Sequence, residues 1–162
     1  MKNSELSGEE KVKSDALRLL SVRPRSVEEL RGRLKLKKHS AEDIDAVLEL
    51  LKKQGFLDDE KFAKLFAGSK TGSNSVGRRQ LQRDLKKKGV SSRVIEETLS
   101  NLPDYDEKEA VRKLATARFR QVADLPPEKQ KARLFGFLQR RGFSSDAIFS
   151  VLSELIKEDH FR

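Results

Sequence analysis

The chain has 162 residues and no cysteine, which excludes disulfide bonds and thiol chemistry. Charged residues make up 38% of it and aromatic residues 6%, so small cores shared between helical units fit better than one deep globular core. The net charge of +9 at pH 7 favours a polyanionic partner, most often nucleic acid, although a basic surplus can also serve solubility alone.

The N-terminal segment is polar and lacks the apolar core of a signal peptide. No apolar run approaches the ~20 residues of a membrane-spanning helix. We therefore expect a cytoplasmic protein without membrane contact, whose residues 1–8 form a flexible N-terminus.

The first predicted unit, residues 9–55, contains three helices. Its first helix is expected to end near Val22. Ser26 starts the second helix, with Glu29 completing a capping box three residues later. Ser40 caps the third helix, and a glycine then closes the unit.

The second predicted unit, residues 56–103, has the most varied composition. Asp58 or Asp59 is expected to cap its first helix. The glycines, serines and threonine of residues 68–75 predict a loop. A very basic second helix follows, and Gly89 is expected to end it in the left-handed conformation.

The third predicted unit, residues 104–162, repeats this plan. Asp104 or Asp106 caps a helix that is expected to run to about Val122. Two consecutive prolines precede the second helix, and Ser145 starts the last one.

A sequence repeat supports this division. Residues 85–99 align without gaps with residues 138–152 at an offset of 53, and residues 34–48 align at an offset of 51. Lys38 stands where the other two copies have glycine, so the first junction is expected to turn differently. The fold class predicted is all-α: three tandem three-helix repeats, similar to helix-turn-helix units, in an elongated, curved array.

Charge is sorted by helix within each unit. The segments around the second helices carry net charges of +5, +6 and +5 over residues 23–38, 72–93 and 118–141. The third helices are acidic, with −2 over residues 40–54 and −3 over residues 144–159. Stacked repeats would align the basic helices in one stripe, which suits an extended polyanion or an acidic protein groove.

The middle basic helix presents the fullest cationic face. Arg79, Arg83 and Lys86 lie opposite Leu81 and Leu85 on a helical wheel. The equivalent positions of the other two units lack a complete basic set. An ordinary solvated helix face is the alternative interpretation.

Residues suited to catalysis are missing from the sequence. The acidic pair Asp58 and Asp59 could in principle bind a metal or transfer protons, but a helix cap is the preferred interpretation. His39 and His160 have no partners at metal-ligand spacing. No phosphate-binding glycine loop and no set of nucleophile, base and orienting group is present. We expect no enzyme activity, no catalytic residue, no metal and no cofactor.

The chain resembles the RecX family, bacterial regulators of the RecA recombinase. The motifs that carry this resemblance are RPRSVEELRGRL at residues 23–34, GFLDDEKFAKLF at 55–66 and GRRQLQRDLKKKGV at 77–90, and it extends over roughly residues 14–156. It implies a non-catalytic regulator of homologous recombination and DNA repair that binds in the groove of the RecA filament on single-stranded DNA. It also implies inhibition of the ATPase, strand-exchange and co-protease activities of RecA.

On this hypothesis the protein is a monomer whose partners are the RecA filament and the single-stranded DNA within it. The predicted filament-binding residues are Arg78, Arg79, Arg83, Lys86, Lys87 and Lys88, and the secondary basic contacts are Arg31, Lys35, Arg140 and Arg141. The alternative function is a free-standing basic helical nucleic-acid-binding protein, and a weaker one is a scaffold for an acidic partner unrelated to DNA. The scarcity of aromatic residues on the basic faces argues against base reading.

Overall fold

The structure, a computed structural model, describes residues 7–74, 76–102 and 105–160. Its regular secondary structure is helical throughout these residues, which confirms the all-α prediction. The helices of the described residues are α1 (Gly8–Val22), α2 (Val27–Leu36), α3 (Ala41–Lys53), α4 (Asp59–Asn74), α5 (Arg78–Lys87), α6 (Ser92–Ser100), α7 (Glu107–Phe119), α8 (Pro127–Arg140) and α9 (Ser145–His160).

Local capping signals begin and end the helices where the sequence predicts. The hydroxyl groups of Ser26 and Ser40 each accept a backbone N–H bond of 3.1 Å from the first turn of α2 and α3. Asp58 accepts two such bonds at the start of α4. Gly55 and Gly89 follow α3 and α5 with φ angles of 74° and 76°, the conformation that favours glycine.

The predicted loop at residues 68–75 is wrong, because α4 continues as a helix to Asn74. Thr71 directs its hydroxyl to the carbonyl of Ala67 at 3.1 Å, so this hydroxyl bonds within the helix instead of breaking it. Each helical glycine costs about 1 kcal/mol relative to alanine, which packing of the buried face of α4 can offset. Ser75 lies outside the described residues.

The expectation that the turn between α2 and α3 differs at Lys38 from the equivalent turns of the other two repeats is also wrong. Lys38 has a φ of 63°, close to the 76° of Gly89 and the 83° of Gly142. The backbone N–H of Lys38 donates to the carbonyl of Lys35 at 2.9 Å, as Gly89 does to the equivalent carbonyl of α5 at 3.0 Å. The turn is therefore the same, and lysine bears a backbone strain of roughly 1–2 kcal/mol that glycine avoids.

The capping box predicted at the start of α2 is half correct. Ser26 caps the helix, but the Glu29 carboxylate does not complete the box. It forms ion pairs with Arg23, with Arg25 at 3.1 Å and with Lys88 at 3.4 Å. The Glu29 carboxylate therefore forms ion pairs with other parts of the chain instead of the backbone hydrogen bond that a capping box requires.

Other helix ends differ from expectation by a few residues. Helix α7 ends at Phe119 instead of near Val122, because its last carbonyls accept bonds from a tight turn, including Val122 N–H at 2.9 Å. Asp106 caps α7. Of the N-terminus expected to be flexible, Ser7 and Gly8 begin α1, and residues 1–6 lie outside the described residues. So do residues 103–104, where the other candidate cap and the boundary proline are found.

The chain divides into two compact units, one from residues 1–65 and 85–98, the other from 66–84 and 99–162. The first unit contains the packed helices α1, α2 and α3, the second α7, α8 and α9. Both have leucine-rich cores with fully buried side chains, among them Leu30, Leu34, Leu48 and Leu51 in the first and Leu134, Leu138, Phe143 and Leu152 in the second. The unit boundaries fall within α4 and α5. The predicted domain limits and the elongated, curved shape stay predictions.

No described helix combines the length and the apolar character that a membrane crossing requires.

Candidate functional site

Helix α5 separates its apolar and cationic residues onto opposite faces. Leu81 and Leu85 are fully buried. Arg79, Arg83 and Lys86, at i, i+4 and i+7, are exposed. The helix carries five cationic side chains against one carboxylate, so its exposed face is strongly positive.

The exposed cations of α5 are not neutralised by the described part of the chain. Arg79, Arg83, Lys86 and Lys87 form no ion pair with any described residue. The Arg83 guanidinium donates a bond of 2.6 Å to the side-chain carbonyl of Gln80, which holds it in place without cancelling its charge. We call these four exposed residues the α5 ridge.

Two other predicted contact residues of this helix region have internal partners. The Arg78 guanidinium donates to the carbonyl of Leu99 near the end of α6 and lies 5.5 Å from the centre of the Tyr105 ring. Burial raises the pKa of the Tyr105 hydroxyl, which donates to the backbone carbonyl of Val76 at 2.8 Å. Lys88 pairs with Glu29. Arg78 and Lys88 therefore have structural roles that the sequence did not reveal.

The secondary basic contacts are similarly divided. Arg31 pairs with Glu28 at 3.1 Å and with Asp45, and the Asp45 bond raises the pKa of its guanidinium. Lys35 and Arg140 are exposed. Arg141 is half-buried, with its guanidinium 5.0 Å from the centre of the Phe137 ring.

Two arginines that the sequence analysis did not propose as contacts lie close to Arg140. Arg118 and Arg133 line the same cavity of about 300 Å³, together with the Phe137 ring. The spacing of Arg133, Phe137 and Arg140 along α8, four residues and then three, was the available sequence signal. The position of Arg118, on a different helix, could not be read from it.

Asp58 and Asp59 each cap the start of a helix, which agrees with the interpretation preferred over a metal or proton-transfer site. Asp58 caps its own helix, and Asp59 accepts the N–H of Val27 at 2.9 Å at the start of α2. Burial raises the pKa of the Asp59 carboxyl, partly offset by that bond. Both line a cavity of about 520 Å³ that also includes Lys52 and Arg93. Among the residues described, no three His, Asp or Glu side chains are grouped to hold a metal ion.

Comparison with known protein families identifies all three repeats. The first, second and third three-helix domains of RecX match residues 13–59, 58–99 and 105–152. The chain belongs to the RecX family. The resemblance carried by the three sequence motifs is thus confirmed, and so is the prediction of three three-helix domains.

Individual RecX proteins match nearly the whole chain. The regulatory protein RecX of Trichlorobacter lovleyi is 36% identical over 138 residues, which are 82% of this chain and 88% of that protein. The RecX of Mycolicibacterium smegmatis is 36% identical over 156 residues, 93% of this chain and 82% of that protein. The crystal structure of RecX from Lactobacillus salivarius superposes with a TM-score of 0.83 at 21% identity, covering 91% of this chain and 96% of that one. This last likeness concerns the fold.

Proposed function

We propose that this protein binds the filament that RecA forms on single-stranded DNA and inhibits the ATPase, strand-exchange and co-protease activities of RecA. Membership of the RecX family supports a regulatory role. The observation that carries the proposal is the α5 ridge, a row of exposed cations without ion-pair partners among the described residues. The protein would act in the cytoplasm as a monomer and without catalysis.

The physical basis is electrostatic attraction followed by desolvation. A nucleoprotein filament presents phosphates and acidic side chains, and a helix with five cations and one carboxylate is attracted to both. Exposed ion pairs contribute roughly 0–1 kcal/mol each, but contacts that release counterions from phosphate contribute more. A protein bound across neighbouring RecA subunits stabilises the arrangement of subunits that it fits best. It therefore opposes motions of the ATPase cycle that lead to an arrangement it binds less tightly.

The test is RecA ATPase on single-stranded DNA while this protein is titrated in. The wild type should inhibit, and the triple variant Arg79→Ala, Arg83→Ala, Lys86→Ala should need roughly tenfold more protein, about 1.4 kcal/mol, for the same inhibition. Its stability should hardly change, since these side chains point away from the buried face of α5. The difference should shrink as salt is added, because screening already weakens the wild type.

The matched control removes the same charge elsewhere. Lys11, Arg18 and Lys64 are exposed and lie outside the basic second helices. Their triple alanine variant should inhibit nearly as well as the wild type. Equal loss in both triple variants would mean that net charge acts and the α5 ridge does not. An unchanged RecA rate with excess wild-type protein would refute the proposal and favour one of the two alternatives, a free-standing nucleic-acid-binding protein or a scaffold for an acidic partner.

A further inference from the structure

A cavity in the third repeat is lined by three arginines from two helices. Arg118 comes from the end of α7, and Arg133 and Arg140 come from one face of α8. Val122 and Leu134, both buried, contribute apolar lining. Among the described residues, no acidic side chain lines this cavity of about 300 Å³, which we call the arginine pocket.

No carboxylate of the described residues neutralises the arginines of the arginine pocket. Within the described part of the chain, Arg118, Arg133 and Arg140 form no ion pair. By contrast, Arg25 and Arg31 of the first repeat both pair with carboxylates. Like charges repel when they are held together around one cavity, so an anion that enters it relieves this repulsion.

The walls of the pocket are built by specific contacts. The buried Gln130 amide donates to the carbonyls of Ala123 at 3.0 Å and Leu125 at 2.9 Å, which fixes the turn between α7 and α8. The Arg118 guanidinium lies 4.6 Å from the centre of the Phe137 ring, a cation–π distance that orients it. A Cβ atom on Gly136 would lie 3.3 Å from Nη1 of Arg140, so the absence of a side chain leaves room for that guanidinium.

The chemistry of this pocket matches phosphate. Guanidinium groups are planar, permanently charged and able to donate two parallel hydrogen bonds to phosphate oxygens. The volume is at the lower end of the range for ligand sites, which suits a phosphate with part of its sugar better than a whole dinucleotide. We propose that the arginine pocket binds a backbone phosphodiester of single-stranded DNA through Arg118, Arg133 and Arg140.

This inference goes beyond the proposed function, because it concerns direct contact with DNA at a site separate from the α5 ridge. Its test contains no RecA, so its failure and that of the proposed function are distinguishable. The measurement is fluorescence anisotropy of a short labelled oligothymidylate titrated with the full chain. The double variant Arg133→Gln, Arg140→Gln should bind at least tenfold more weakly. Its affinity should also depend less steeply on salt, by about 0.7 in the logarithmic slope for each phosphate that the variant no longer neutralises.

Two matched variants separate a built site from diffuse charge. The control Arg120→Gln, Lys129→Gln removes the same charge from exposed positions outside the pocket lining and should lose less than threefold. The variant Arg133→Lys, Arg140→Lys keeps the charge but loses the planar fork, and it should bind several-fold more weakly than the wild type. Equal affinities for the Lys variant and the wild type, or equal losses in the pocket and control variants, would overturn the proposal.

A competition experiment distinguishes two sources of phosphate. Thymidine monophosphate and inorganic phosphate are added to the protein–oligothymidylate complex at the salt concentration of the titration. Weak competition by both is the expected result, because the proposed ligand is a phosphodiester held in place by its neighbours along the chain. Full displacement at micromolar mononucleotide would show that the pocket takes a free nucleotide, contrary to the proposal.

Discussion

Two equivalent junctions join neighbouring repeats by different chemistry. Between the first and second repeats, the Ser26 hydroxyl at the start of α2 donates to the carbonyl of Lys88 in the turn after α5. Between the second and third repeats, the backbone N–H of Gly77, just before α5, donates to the carbonyl of Arg141 in the turn after α8 at 3.0 Å. Ser26 and Gly77 are equivalent at the offset of 51, and Lys88 and Arg141 are equivalent at 53.

The comparison shows that equivalent positions of the repeats can bond to the next repeat in two ways. Where the second helix carries a serine, its side chain spans the gap to the carbonyl. Where it carries a glycine, the backbone itself comes close enough to bond, and Arg79 N–H adds a second bond to the carbonyl of Gly142 at 3.2 Å. A Cβ atom on Gly77 would collide with the backbone of Gly142. At the position of Ser26 and Gly77, the first junction therefore depends on a side chain, and the second on the absence of one.

Exchange of the residue at the second junction gives the largest expected effect. Gly77→Ser places a side chain against the Gly142 backbone, so we expect destabilisation of roughly 3 kcal/mol, the upper end of the usual range for overpacking. The measurement is the urea midpoint. Gly32→Ser is the control, because a Cβ atom there meets nothing within 4 Å, and it should change stability by less than about 0.5 kcal/mol. A normal midpoint for Gly77→Ser would mean that the two backbones are not in contact.

The reverse exchange at the first junction should have a smaller effect. Ser26→Gly keeps an acceptable helix start, since glycine costs only a few tenths of a kcal/mol at this position. It also removes the hydrogen bond to the Lys88 carbonyl, a loss of roughly 0.5–1.5 kcal/mol. We expect a loss of about 1–2 kcal/mol in urea unfolding. Ser40→Gly, an exposed cap without such a partner, should lose clearly less. Equal losses would assign the whole effect to capping.

The smallest expected effect is a difference in pH dependence. Burial by itself would raise the pKa of Glu29, but the bond from Arg23 and the charge of Lys88 outweigh it, and the pKa is lowered. The stabilisation is therefore present above the unfolded-state pKa of about 4.3, and it is lost as pH falls through the lower folded-state value. Glu29→Gln should destabilise by about 1 kcal/mol or less at pH 7 and should match the wild type at pH 2.

Thr71, whose hydroxyl bonds to the backbone carbonyl of Ala67, provides the control for this titration. Thr71→Val removes a hydroxyl whose acceptor does not titrate, so its effect on stability should be the same at both pH values. A difference between wild type and Glu29→Gln that persists at pH 2 would contradict an ionic role for Glu29.

The sequence by itself determined the helices and much of their burial. Serine and aspartate caps, glycine stops and leucine spacing act between residues a few positions apart, so Ser26, Asp58, Gly89 and Leu85 could be assigned without a structure. The same local logic failed at residues 68–75, because glycine and hydroxyl composition cannot tell a loop from a helix that has a packed face.

Tertiary structure alone decided which charges are available for binding. The sequence placed Lys88 among the filament-binding residues and Arg31 among the secondary basic contacts. In the structure Lys88 pairs with Glu29 of the first repeat, and Arg31 pairs with Asp45 on the neighbouring helix. Arg118 likewise reaches its cavity from a helix other than that of Arg133. Whether a charged side chain forms an ion pair depends on residues far away in sequence. The repeat pattern of the sequence does not show which of these residues lie within reach. The cationic face of α5 could be predicted because it and the buried leucine face lie on the same helix, where helical spacing alone separates them.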